Sequence, residues 1–208
     1  MGFGIKIEVS GTYACFTRPE LKVERVSYDV ITPSAARGLL EAILWKPAIK
    51  YVIDEIAVCE PIKFENIRRN EVDFIANTTS PKVATDGRAQ RAAMLLKDVR
   101  YVISAHFEMT DKAESGDNEG KFAEMLRRRL EKGQHFHQPY LGTREFPANI
   151  RLIKDDDEVP LPIRETRSFG LMFYDFDFAQ DGERFTPTYF MAEMQNGVID
   201  LRNVEVLR

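Results

Sequence analysis

Asn118-Glu119-Gly120-Lys121 has the form of a helix start, with Asn118 able to cap it and unpaired backbone N–H groups behind the cap. The positive end of a helix dipole attracts an anion and mildly disfavours a lysine. Lys121 therefore reads as an exposed side chain or as a cation set opposite a phosphate. His135-x-His137, followed by Tyr140 and Arg144, places two imidazoles on one side of an extended segment. Histidine is the natural general acid or base near neutral pH, and no nearby Cys or carboxylate completes a metal site. Trp45-Lys46-Pro47 holds the only tryptophan. It reads as a helix-end anchor or as a stacking platform with Lys46 turned to a phosphate. Arg18-x3-Lys22-x2-Arg25, with Tyr28 close behind, puts three cations in one loop, and Lys63, Arg68, Arg69, Lys82, Arg88, Arg91 and Lys97 crowd another region. Such clusters form a solvated surface or a groove that tracks phosphates. Arg127-Arg128-Arg129 reads as a solvated face, and His106 as a structurally satisfied side chain. No G-x-S-x-G, P-loop, G-x-G-x-x-G or H-E-x-x-H occurs, which argues against hydrolase, NTPase, dinucleotide and metalloprotease chemistry.

The 208 residues, 44% hydrophobic and 30% charged, suffice to bury one core and exclude a disordered or fibrous chain. Two cysteines, Cys15 and Cys59, give neither a disulfide framework nor a C-x-x-C pair, and the apolar runs are short. A soluble cytoplasmic protein is expected. The net charge of −4 argues at first against a polyanion ligand, but residues 151–208 hold 12 acidic against 7 basic residues while residues 1–150 are nearly balanced. Local basic clusters thus survive in the longer part.

These side chains need elements to position them. Phe3, Ile5, Ile7 and Val9 alternate as a first strand that continues through Tyr13–Phe16 after a kink at Gly11. Thr32 and Pro33 open a helix with Ala36, Leu39, Leu40 and Ile43 on one face, and Pro47 ends it. Tyr51–Val58 is a β-branched strand; Val99 to Met109 alternates as another. Phe122, Met125, Leu126 and Leu130 stripe a second helix stopped at Gly133, and Phe146, Ala148, Ile150 and Leu152 alternate as a fourth strand. Residues 65–97 lack periodicity and read as a long, mobile insertion. The order β-α-β-β-α-β over residues 1–153 is that of an α+β, ferredoxin-like (RRM-like) sandwich. Residues 154–208 read as a small antiparallel β appendage with turns at Asp181-Gly182 and Asn196-Gly197.

Several segments in order resemble one family: Gly11-x-Tyr13-Ala14-x-Phe16-Thr17-x-Pro19, Val26-Ser27-Tyr28-x-Val30, Ile43-Leu44-Trp45-Lys46-Pro47, Val52-Ile53-Asp54, Ala105-His106-Phe107-Glu108, Asn118-Glu119-Gly120-Lys121 and Leu141-Gly142-x-Arg144-Glu145. Together they resemble the CRISPR-associated family five protein of the Dvulg subtype, the type I-C member of the RAMP superfamily. The resemblance implies an endoribonuclease that binds the repeat hairpin of precursor CRISPR RNA, cuts at its base and keeps the 5′ handle of the mature guide RNA. It implies the large and backbone subunits of the type I-C complex as partners, no membrane and no cofactor, and it leaves duplex DNA open as a further ligand.

In that family the cut needs no metal: a 2′-hydroxyl attacks the adjacent phosphate and a 2′,3′-cyclic phosphate results. The family pattern places a Tyr before Trp-Lys-Pro and a Lys-His pair at the second helix. Lys121 matches as the stabiliser of the scissile phosphate, but Leu44 and Phe122 stand at the other two positions and move no proton. His135, His137, Tyr28 and Tyr140 are then the candidates for acid and base; the alternative is a weak or inactive subunit that holds RNA. Arg18, Lys22, Arg25, Trp45, Lys46, Arg68, Arg69 and Arg144 are the expected RNA contacts.

Overall fold

The computed structural model describes residues 4–21, 23–75, 77–178 and 185–208. In chain order it contains β1 (Ile5–Ala14), β2 (Arg25–Val26), α1 (Pro33–Ile43), β3 (Ile49–Val58), β4 (Phe64–Val72), β5 (Arg88–Met109), α2 (Glu119–Glu131), β6 (Asn149–Leu152), β7 (Arg167–Phe178), β8 (Phe185–Met194) and β9 (Val198–Asp200). The main sheet runs β6-β1-β5-β3-β9, with β2 and β4 also on β5. All its pairings are antiparallel except the short β2 alongside Ala93 and Met94.

Local chemistry sets both helices. The Thr32 hydroxyl accepts the Ala35 N–H at 3.2 Å, Pro33 occupies the first turn, and Pro33, Ala36, Leu39, Leu40 and Ile43 are buried at helical spacing. Asn118 Oδ1 accepts the Lys121 N–H at 2.9 Å, Phe122 and Leu126 are buried, and Gly133 lies beyond the end at φ +62°. Both helices share a core with one face of the sheet, through Ile7, Val9, Ile53, Tyr101, Ile103 and Phe107. On the other face Glu8 accepts from Arg100 Nε at 2.7 Å and from Arg151 Nη2 at 2.6 Å.

Two expectations change. Residues 65–97 do not form an irregular insertion; β4 pairs along the first half of the 22-residue β5, from Phe64↔Leu96 to Val72↔Arg88, as a ribbon extending the sheet. Along β4 the residues alternate between half-exposed and exposed, so no hydrophobic period marks that strand. The C-terminal segment also does not stand apart. β9 pairs with β3 (Glu55↔Asp200 to Ala57↔Val198), and Met172, Phe190, Ala192, Met194 and Ile199 join the main core. The Asn196-Gly197 turn is present, with φ of 49° and 80°, and Gln195 and Val198 exchange two backbone hydrogen bonds. Asp181-Gly182 lies outside the described residues, as does Phe3. No described helix is long and apolar enough to cross a membrane.

Candidate functional site

Lys121 sits in the first turn of α2 and reaches back to Asp117, Nζ to Oδ1 2.8 Å. The hydrogen bond from Lys121, then that from the Glu114 N–H, and the charge of Lys46 hold the Asp117 carboxyl below the usual aspartate range. Lys46 is brought there because the chain leaving α1 is tied to the loop before α2: Thr110 donates its hydroxyl to Pro47 O at 2.6 Å and its N–H to Ala48 O at 2.9 Å. Two lysines stand with Asp117 and Glu119 at this exposed helix N-terminus, whose free N–H groups and dipole favour a phosphate. Leu44 and Phe122 point into the core, 0% and 3% exposed, so their side chains face no substrate. Arg129 departs from the solvated-face reading: its Nη1 donates to Ile43 O at 2.6 Å and satisfies the end of α1.

A cleft of about 950 Å3 runs between α1 and the segment 136–144, with Trp45, Phe136, His137, Gln138, Tyr140 and Arg144 along it. The segment is fixed because the N–H groups of Phe136 and His137 both donate to Ala42 O, at 2.8 and 3.1 Å. Beyond Tyr140 it turns sharply at Gly142, φ +84°, where a Cβ would lie 2.0 Å from Cys15 O. Only glycine allows that approach. His137, Tyr140, Trp45 and Arg144 are thus brought together, and Trp45 is adjacent in sequence to Lys46 at the phosphate-favouring end of α2. His135 is exposed and does not line the cleft.

Other expected residues serve the fold. Tyr28 is 4% exposed, its hydroxyl accepts the Phe173 N–H at 3.3 Å, and burial pushes its pKa up. It is a core residue here, not a cleft acid. Arg18 stacks over its ring, 4.5 Å from the centroid, and pairs with Asp29 at 3.0 Å. Arg25 lies 3.6 Å from both Glu71 and Glu145; Arg69 pairs with the same two carboxylates, and Arg91 reaches Glu71 at 3.5 Å. Through Glu145, Arg25 and Arg69 tie the β4–β5 ribbon to the 140–147 loop, so these two cations are engaged within the fold. Arg68 faces the other side of the ribbon and is exposed. Among the described residues neither Arg68 nor Arg144 has a carboxylate at ion-pair distance. Lys22 lies outside the described residues. His106 donates its Nδ1–H to the Asp54 carboxylate at 2.9 Å, a structural pairing.

Sequence reasoning missed Arg37. From the α1 wall of the cleft it gives Nε and Nη2 to Asp175 at 2.7 and 2.9 Å and Nη1 to Glu41 at 2.6 Å. The Arg37/Glu41 spacing was a visible i,i+4 pair. Asp175, 138 residues away, gave no signal.

Comparison with known proteins adds the following. The family model for CRISPR-associated protein (Cas_Cas5), type Cas5d, matches residues 4–202. A CRISPR pre-crRNA endoribonuclease Cas5d from Mannheimia succiniciproducens is 51% identical, covering 95% of this chain and 94% of its own. One of the same name from Thermus thermophilus is 46% identical, over 86% and 76%. Among solved structures, a CRISPR-associated protein aligns with a TM-score of 0.70 at 24% identity, and protein SMU1763c of Streptococcus mutans with 0.71 at 22%; each alignment covers 96% of this chain and 92% of the other. A chain of a CRISPR RNA-guided surveillance complex aligns with 0.58 at 13%, over 94% and 91%. At these identities the structures speak for the fold.

Proposed function

The chain belongs to the Cas5d family of CRISPR-associated proteins, and on that premise we propose that it is an endoribonuclease that cuts precursor CRISPR RNA. The observation that carries the reading is 51% identity, along nearly the full length of both chains, to a protein named for that activity. The fold reading that accompanies it is ferredoxin-like, supported by β1-α1-β3-β5-α2-β6 in chain order with strands laid side by side as β6-β1-β5-β3.

Cutting proceeds by attack of a ribose 2′-oxygen on the adjacent phosphorus, with its proton passing to a base. The bond to the 5′-oxygen breaks, that oxygen takes a proton, and a 2′,3′-cyclic phosphate remains. Such chemistry needs a cation for the developing charge and groups that move two protons. Lys121 supplies the cation, with Lys46 beside it. His137 and Tyr140, which line the cleft, are the groups to which this reading gives the proton transfers. The precursor's repeat hairpin and the guide RNA that results are the ligands, and the large and backbone subunits of the type I-C complex are the protein partners; likeness to a surveillance-complex chain agrees with such an assembly.

A second reading, an RNA-holding subunit that cuts slowly, is favoured by the burial of Leu44 and Phe122 where the family pattern puts proton-moving side chains. Incubating the protein with its repeat RNA in EDTA, beside Lys121→Ala and a 2′-deoxy substrate, separates the two. The endoribonuclease cuts in EDTA, loses roughly 100- to 1,000-fold in rate with Lys121→Ala and leaves the 2′-deoxy RNA intact. Tight binding without cutting supports the second reading.

A further inference from the structure

The α1 wall of the cleft carries one guanidinium, Arg37, between two carboxylates, Asp175 and Glu41. That wall has no positive charge to spare, so it offers a phosphate no partner. Three exposed aromatic side chains also line the cleft: Trp45 is 58% exposed, Phe136 70% and Tyr140 38%. Phe136 is held in place by its backbone bond to Ala42 and by an edge contact with the His137 ring at 4.4 Å between centroids. Arg144 is among the lining residues, and Lys46 follows Trp45 in the chain. Exposed aromatic rings facing a wall whose one cation is already paired complement a nucleotide whose base stacks in the cleft and whose phosphates turn to cations other than Arg37.

We infer that this cleft is a subsite for one unpaired nucleobase of the bound RNA, with Trp45 as a stacking surface. The inference rests on the RNA-cutting reading. Because Trp45 and Lys46 are consecutive and Lys46 acts on the Asp117 carboxyl that Lys121 holds, the base in the cleft belongs to a nucleotide close to the scissile phosphate. Selection of the cut then depends on an unpaired base beside the scissile phosphate, as well as on the hairpin.

Trp45 is the chain's only tryptophan, so its emission reports the cleft directly. The whole protein is titrated with repeat RNA, and with RNAs made abasic at each unpaired position flanking the hairpin in turn, while cutting is followed in parallel. The expected result is saturable quenching by intact RNA that is lost at one abasic position. Phe136→Ala, a change at an exposed side chain, weakens binding of intact RNA roughly tenfold and not that of the critical abasic RNA. RNA that binds and is cut with Trp45 emission unchanged, or quenches equally at every abasic position, overturns the subsite and leaves the RNA-cutting reading standing. RNA neither bound nor cut overturns both. Emission that responds to another protein subunit and not to RNA gives the cleft to a protein side chain and also overturns the subsite.

Discussion

Replacing Arg37 with methionine removes the tie that holds α1 to the β7–β8 hairpin. The Arg37 and Asp175 side chains are each one-fifth exposed, and the guanidinium makes two hydrogen bonds to Asp175 and one to Glu41. Burial works against the cation, but the hydrogen bonds and charges of Asp175 and Glu41 outweigh it and hold its pKa above the ordinary arginine value. An exposed ion pair contributes about 0–1 kcal/mol, whereas removing one partner of a fully buried pair costs about 3–5 kcal/mol. Bidentate geometry at partial burial sits between, at about 2 kcal/mol for Arg37→Met, mostly because Asp175 and Glu41 then face each other without a cation. In a chain of this size that lowers the melting midpoint by roughly 4–8 °C. Arg37→Met/Asp175→Asn should recover about 1 kcal/mol relative to the sum of the single changes, since the uncompensated carboxylate is gone. Urea unfolding of wild type, both single variants and the double variant at pH 7, followed by circular dichroism, measures all four corners. A loss below about 0.5 kcal/mol for Arg37→Met, or strict additivity, refutes the idea that this triad locks helix to hairpin.

Burial acts to raise the pKa of Glu8, but hydrogen bonds from Arg151 and Arg100 outweigh it and hold the carboxyl below the ordinary glutamate value of 4.5. A depressed folded-state value gives stability that is present above the unfolded value and lost as pH falls through the folded one, so Glu8→Gln should be less stable than wild type at pH 7 and converge with it in acid. A pH-independent gap in unfolding midpoints counts against that account. Gly142→Ala forces a Cβ within 2.0 Å of Cys15 O at φ +84° and should cost at least about 2 kcal/mol, read as a lower urea midpoint; an unchanged midpoint shows that the turn relaxes. Arg68→Ala should weaken RNA binding and reduce the slope of log affinity against log salt by about 0.7–0.9, whereas an unchanged slope means that Arg68 touches no phosphate.

What could be read without the fold was whatever depends on near neighbours. Thr32 and Asn118 cap their helices because each side chain reaches an N–H three residues on, and Val99 to Met109 betrays its strand because one face meets the helices. Strand β4 was invisible because its residues are half-exposed on one face and exposed on the other, so burial imposed no period on it. The partnership of β9 with β3 joins segments some 140 residues apart, and nothing in Val198–Asp200 encodes a particular neighbour.

The same division runs through the site. The family, the lysine at the head of α2 and the tryptophan–lysine pair at the end of α1 are legible in short motifs, which need no fold to be recognised. Which cations remain free for a ligand was decided only by the tertiary structure. Arg18, Arg25 and Arg69 looked the same in sequence as Arg68 and Arg144, but the fold hands the first three to Asp29, Glu71 and Glu145. It also sets Arg37 against Asp175 from 138 residues away. A charge is neutralised by whatever lies within a few ångströms of it in space, and the order of residues along the chain does not fix that distance.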